Sequence, residues 1–207
     1  MPPIRENNPA YQFLIRFWSK HCELEESHRA WIKKHIQVYS GVKTGHMLYY
    51  EGFLDKKIFF ATKGLIGRVI ENEETGRRQL INVALPGMAL MSTAHFYSDT
   101  PSLGDIVVLR PDTDVVILSY HALLNYRQAE RIVDTLIGML VHKKKKQLAC
   151  LLRISRTSSA FERCLRFTNE LPELYHILYQ REVADLLDIS RTTVQSVSRY
   201  LAKQPGK

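Results

Sequence analysis

Near the C-terminus lies a set of side chains whose types and spacing suit the reading of base edges. On a helix entered at Ser190, the outward positions hold Arg191, Thr192, Gln195, Ser196 and Arg199, all hydrogen-bonding and none acidic. Arginine can bond guanine O6 and N7 together, glutamine the adenine edge, and hydroxyls either a base or a phosphate. Such chemistry needs a helix presented to the major groove by a second one packed across a tight turn. Gln180 to Arg199 fit that frame. Val183, Leu187, Ile189, Val194 and Val197 fill the positions that must be apolar, and Ala184 the one where only a small side chain lets the helices approach. In a chain that is 45% apolar, such a pattern arises by chance about 0.3 times, so context has to decide. Ser190 stands where the second helix needs an N-cap, accepting from the amide of Thr192 or Thr193. Asp188 occupies the turn position that calls for a positive φ, which Asp tolerates better than most residues. Lys203, just past Leu201, adds a charge for phosphate. The alternative is an ordinary helical hairpin with a polar surface.

The charge distribution supports a polyanionic partner. The chain of 207 residues carries a formal +8, yet residues 1–142 are nearly balanced and almost all the excess lies in residues 143–207. A neutral module joined to a basic one suggests nucleic acid, or less commonly an anionic membrane. Cys22, Cys150 and Cys164 are scattered, odd in number and without a Cys-x-x-Cys pair, which indicates neither a disulfide framework nor a zinc ribbon and fits a reducing compartment. No secretion signal is recognisable in the first twenty residues. The longest helical apolar run, Thr135 to Val141, is far short of the roughly 20 residues needed to span a bilayer. A cytoplasmic protein without a membrane partner is expected.

The elements that must position the C-terminal frame follow from periodicity. Tyr11, Leu14, Ile15 and Trp18 recur at helix spacing, and a second helical segment runs from Glu23–Glu26 through Trp31 and Ile32. From Ile36 the period changes to short β-rich runs: Ile36–Tyr39, His46–Tyr50, Lys56–Thr62, Leu65–Glu71, Arg78–Ala84, Gly104–Leu109 and Asp114–Ser119. Seven short strands with no long helix between them argue for an antiparallel sandwich or roll. From His121 the pattern reads as helical for about thirty residues, with Leu124, Ile132, Val133, Leu136, Ile137, Leu140, Leu148, Leu151 and Leu152 on one broad stripe. A second copy of the chain is the natural partner for so long a stripe. Lys143–Lys146 interrupt it. Four consecutive lysines sweep about 300° around a helix, so they cannot share one solvent face; they form a solvated segment with snorkelling stems, or a phosphate or ligand contact. Ser159 is placed to cap a helix over Ala160–Asn169, and Tyr175–Tyr179 lead into the two-helix frame.

Other constellations point away from catalysis. No Gly-x-Ser-x-Gly, phosphate loop or Cys/His nucleophile pair occurs. Glu71, Glu73 and Glu74 beside Thr75-Gly76 read as a solvated hairpin turn. His46 and His95 fall in the roll, but the His-x-His pair with a downstream Glu that a metal enzyme on such a roll would show is missing. No catalytic residue, metal site or cofactor is assigned.

The order of a β-roll, a long helix and a C-terminal helix-turn-helix resembles the Crp/Fnr family of bacterial transcription regulators over about Ile36 to Lys203. Locally the resemblance rests on Lys63-Gly64-Leu65-Ile66-Gly67-Arg68-Val69, the turn Glu74-Thr75-Gly76-Arg77, and Leu85-Pro86-Gly87 before the ligand cassette. It continues with Glu182-Val183-Ala184-Asp185-Leu186-Leu187 and the recognition-helix start Ser190-Arg191-x-Thr193-Val194. It implies an α+β chain with three parts: an antiparallel β-roll of the jelly-roll type flanked by helices as sensor (1–122), a dimerisation helix (123–155) and a helix-turn-helix domain (156–207). It also implies double-stranded DNA and a second copy as partners, with RNA polymerase as a further one. Residues contacting DNA would be Ser190, Arg191, Thr192, Thr193, Gln195, Ser196, Arg199 and Lys203. An effector would meet Gly87, Met88, Ala89, Leu90, Ser102 and Leu103. The departures matter as well. Cyclic-nucleotide receptors of this family open the cassette with Gly-Glu and follow with Arg-Ser or Arg-Thr; here stand Gly87-Met88 and Pro101-Ser102-Leu103-Gly104, with no arginine before Arg110. A cyclic phosphate loses its charge-assisted partner, so the implied effector is other than cyclic AMP, or there is none. Ser102 either meets an anion or is a turn residue. Three cysteines do not supply the four that the family's iron–sulfur sensors need. Relatives continue into a wing of strands, whereas only Ala202 to Lys207 follow here, so the wing is short or missing. The other reading is a signalling or interaction module of the same fold that has lost DNA binding.

Overall fold

The computed structural model describes residues 4–72, 76–130 and 132–204. It divides into two compact units, one formed by Met1–Ile70 with Asn82–Lys144, the other by Glu71–Ile81 with Lys145–Lys207.

The first unit opens with α1 (Pro9–Ser19) and α2 (Glu26–His35). Asn8 caps α1, its Oδ1 accepting from the amides of Ala10 and Tyr11 at 3.0 and 3.1 Å, and Pro9 takes the first turn, where no amide is required. Among the described residues eight strands follow: β1 (Ile36–Val42), β2 (Met47–Tyr49), β3 (Lys57–Lys63), β4 (Ile66–Glu71), β5 (Arg78–Ala84), β6 (Ala89–Met91), β7 (Asp105–Val108) and β8 (Thr113–Ser119). They form two four-stranded sheets in the orders β1-β8-β3-β6 and β2-β7-β4-β5, with antiparallel pairing such as Phe59 opposite Ile117 and Arg68 opposite Ile106. The seven strands expected from periodicity are present, six of them within a residue at either end, while β1 runs three residues further than expected, to Val42. The eighth, β6, lies where the sequence reads as loop.

The twofold period of a strand explains how β3 and β8 can be almost wholly apolar. Ile58, Phe60, Val116 and Leu118 join a core with Leu14, Phe17 and Trp18 of α1. Their alternates Phe59, Ala61, Val115 and Ile117 meet Ile66, Ile106, Val108 and Leu90 between the sheets. Each fully buried large side chain contributes about 1.5–3 kcal/mol, so both faces of this sheet are committed.

The helical run expected from His121 is two helices, α3 (Tyr120–Ala129) and α4 (Ile132–Ser155). Between them Glu130 is extended, at φ −133° and ψ 111°, and its carboxylate lies 3.7 Å from Nε2 of the buried His28. The apolar stripe is also divided. Val133, Leu136 and Ile137 are buried in the roll's own core together with Leu123, while Leu148 and Leu152 are exposed. The side chain of Leu140, and Glu73, Glu74 and Thr75 of the expected hairpin turn, lie outside the described residues.

In the second unit, α5 (Ala160–Glu170), α6 (Pro172–Ile177), α7 (Gln180–Leu187) and α8 (Arg191–Ala202) bury Cys164, Phe167, Leu174, Val183, Ala184, Leu187, Val194 and Val197. Ser159 caps α5 by accepting from the Glu162 amide at 3.4 Å. Burial raises the Cys164 thiol to about 11, so it stays protonated at neutral pH.

Candidate nucleic-acid interface

The two-helix frame closes on the residues expected to pack it. Val183 and Ala184 of α7 and Val194 and Val197 of α8 are all buried, with Ile189 partly buried in the turn. Asp188 adopts the left-handed conformation, φ 51° and ψ 56°, and closes α7. An arginine not singled out from sequence fastens the turn: Arg163 of α5 donates to the carbonyls of Leu187 at 3.0 Å and Thr157 at 3.2 Å. The Leu187 carbonyl belongs to the end of α7, where intrahelical donors are lacking, and that of Thr157 to the loop between α4 and α5. Nothing local marks Arg163 for this role, because its partner lies 24 residues away.

The structure sorts the expected contact residues of α8. Ser190 is the N-cap, its Oγ accepting from the Thr193 amide at 3.1 Å and lying 2.7 and 2.8 Å from the hydroxyls of Thr192 and Thr193. Ser196 donates to the Thr192 carbonyl at 2.9 Å. Ser190 and Thr193 therefore shape the start of the helix. Arg191, Gln195 and Arg199, at i, i+4 and i+8, step only 40° apart around it. Among the described residues these three, like Lys203, make no side-chain hydrogen bond or ion pair within the chain, and Arg191, Arg199 and Lys203 are exposed. By contrast Arg153 and Arg166 are held by Glu170 and Glu162. The start of α8 borders a cleft of about 440 Å³ lined by Arg77, Arg181, Ala184, Ile189, Ser190 and Arg191, so three arginines line a cleft beside a helix N-terminus, the end whose amides favour an anion. Arg77 also pairs with Asp185 at 2.6 Å, and Gln79 donates to the Asp185 carbonyl at 3.2 Å. Asp185 is buried, so this ion pair fixes α7 more firmly than a fully exposed pair would.

The expected effector residues lie in the first unit and are less uniform. Gly87 (φ +83°) turns the chain into β6, and a Cβ there would stand 3.2 Å from Lys143 Nζ. Ala89 and Leu90 are strand residues committed to the two cores. Met88 is half-buried and Leu103 exposed. Ser102 donates to the Thr93 carbonyl at 2.6 Å and its amide to Ser92, the bonding of a turn. The cassette nevertheless contains an arginine, contributed by a different strand. Arg68 of β4, only 6% exposed, donates from Nη1 to the carbonyls of Leu103 and Gly104 at 3.1 and 3.0 Å and from Nη2 to that of Met91. Gly104 makes this possible: a Cβ there would sit 2.3 Å from the Val69 carbonyl oxygen, so only glycine lets the loop lie against β4. Ser92, Thr93 and Tyr120 are buried nearby, with the hydroxyls of Thr93 and Tyr120 2.9 Å apart. Burial pulls the Arg68 guanidinium below its usual value, against the opposing influence of Tyr49, Tyr120, Glu51 and Asp105.

The four lysines of α4 divide as their sweep requires. Lys143, Lys145 and Lys146 are exposed, and Lys144 is buried with its Nζ donating to the Val83 carbonyl. Burial, with the Arg68 charge second, brings the Lys144 ammonium down to about 7. Among the described residues no group of three metal-ligating side chains is found, and no helix is long and apolar enough to cross a membrane.

No protein-family model matches the chain, and no curated protein matches it in sequence. Solved structures share its fold. FixK2 of Bradyrhizobium japonicum superposes with a TM-score of 0.65 at 15% identity, covering 83% of this chain and 89% of that one. A protein of Eubacterium rectale described as a Crp/Fnr-family transcriptional regulator gives 0.65 at 14% identity, with 91% and 87% covered. The c-di-GMP-responsive global regulator CLP of Xanthomonas campestris gives 0.59 at 16% identity, with 91% and 90% covered. The fold is thus that of the Crp/Fnr regulators, an α+β chain with antiparallel sheets.

Proposed function

We propose that this protein is a sequence-specific DNA-binding transcription regulator of the Crp/Fnr type, acting as a homodimer, with α8 entering the major groove. The observation that carries the reading is the set Arg191, Gln195 and Arg199 in line on one helix, none of them engaged within the chain among the described residues. Arg191 and Gln195, with Thr192, read base edges, and Arg199 and Lys203 neutralise phosphates. The exposed Leu148 and Leu152 of α4 are the surface on which a second copy would pair, and two recognition helices then address half-sites about 34 Å apart. RNA polymerase is the expected partner at a promoter. The roll is the sensor, for an effector other than cyclic AMP, and catalysis is no part of the role.

Selection of bound sequences from a random duplex pool, followed by binding at several salt concentrations, tests the reading. A preferred site with two half-sites and a steep fall of affinity with salt is expected. Arg191→Ala should cost about 1–3 kcal/mol on that site and relax one base position. No salt-dependent affinity for any duplex would instead favour the module that keeps the fold without DNA binding.

A further inference from the structure

The roll holds a positive charge that its own residues leave without a carboxylate partner. Among the described residues no carboxylate lies within ion-pair distance of Arg68; its hydrogen bonds all go to the neutral carbonyls of Met91, Leu103 and Gly104. Burying a charged group is expensive unless it is paired. Glu51 and Asp105 act on it only from a distance, and both are otherwise engaged: Glu51 Oε2 accepts from the Gly104 amide at 2.8 Å and Asp105 Oδ1 from the Glu51 amide at 2.9 Å. Of the five N–H donors of a guanidinium, the three bonds to carbonyls use three. The Nε–H and one Nη2–H remain, two donors of the kind that hold one oxyanion. Lys144, buried with its Nζ donating to the Val83 carbonyl, is a second basic group within the same unit, and the Arg68 charge acts on it.

We propose that the roll binds a small organic oxyanion, a carboxylate or phosphate, with Arg68 as its charged anchor and Lys144 as a second positive charge. The proposal rests on the sensor reading above and names the chemistry of its ligand. The three carbonyls aim the guanidinium without neutralising it, so an anion supplies the missing charge. The arginine that the cassette lacks in sequence is thereby replaced from β4, with the ligand held at the strand side of the cassette rather than by Ser102, whose hydroxyl is spent on Thr93.

The test uses the full chain and no DNA, so its outcome is independent of operator binding. Thermal unfolding is followed at constant ionic strength while chloride is replaced by sodium phosphate in one series and sodium acetate in another. A saturable rise in Tm with one of the two is expected, and which salt acts separates phosphate from carboxylate. Arg68→Gln should weaken that midpoint by at least about tenfold, with Arg68→Lys between the two. If wild type and Arg68→Gln respond alike, the anion acts elsewhere and the proposal fails. It also fails if neither salt gives a saturable shift, even where native mass spectrometry finds a neutral ligand on the purified protein; that result would keep the sensor reading alone. Should Arg68→Gln not fold, Lys144→Met is read in its place. A weakened midpoint supports the site, and an unchanged one overturns it.

Discussion

Lys144→Met should change how stability depends on pH, and the size of the change follows from burial. In the unfolded chain this lysine titrates near 10.5, and in the folded protein near 7. The folded-state value is depressed, so below about pH 7 the native state carries a buried charge and bears the full penalty. Between about 7 and 10 the unfolded chain binds more protons than the folded one, and stability rises with pH by up to about 1.4 kcal/mol per unit. From pH 7 to 9 the wild type should gain up to about 2.7 kcal/mol from this residue relative to Lys144→Met. Methionine keeps the length and apolar character of the stem but forgoes the bond to the Val83 carbonyl, a loss of about 1–3 kcal/mol that does not vary with pH. Urea unfolding of both proteins at half-unit steps from pH 6 to 9 measures the difference, in which groups shared by both proteins cancel. Parallel curves would refute the reasoning, since they would mean that the lysine ammonium stays charged and hydrated in the fold.

Two further substitutions test the geometry around α8. Ser190→Ala removes the acceptor of the Thr193 amide and should cost about 1 kcal/mol of stability in urea unfolding, weakening specific and random DNA to a similar degree because the cap shapes the helix rather than reading a base. Asp188→Gly relieves a left-handed non-glycine residue and should stabilise the protein by up to about 1 kcal/mol in the same assay; a loss of similar size would show that the Asp188 side chain contributes more than its backbone conformation costs.

Legibility in the sequence followed the range of the interactions. The α7–α8 frame could be read because its constraints are local: apolar residues at helix spacing, one small residue at the crossing, a cap at Ser190, and Asp188 tolerating positive φ. The strands could be read because alternation and turn residues lie side by side in the chain. By contrast β6 has three residues after a Pro-Gly turn and no period of its own; it is a strand because β3 supplies its pairing partners, with Phe59 opposite Leu90. The break at Glu130 carries no proline or glycine, and its acidic side chain instead meets His28, about a hundred residues earlier in the chain.

The sequence by itself determined the order of elements, the uneven charge and the outward chemistry of α8, all of which depend on near neighbours. It also showed that Lys143–Lys146 cannot share one solvent face, since a helix rotates about 100° per residue, and left open whether they are solvated with snorkelling stems or meet a ligand. Only the tertiary structure decided that Lys144 is the buried one, and that Arg68, which reads as an ordinary strand residue, reaches the carbonyls of Met91, Leu103 and Gly104. Which polar side chains become buried depends on sheet pairing and on how closely Gly104 lets a distant loop approach. Those are non-local contacts, and local periodicity carries no record of them.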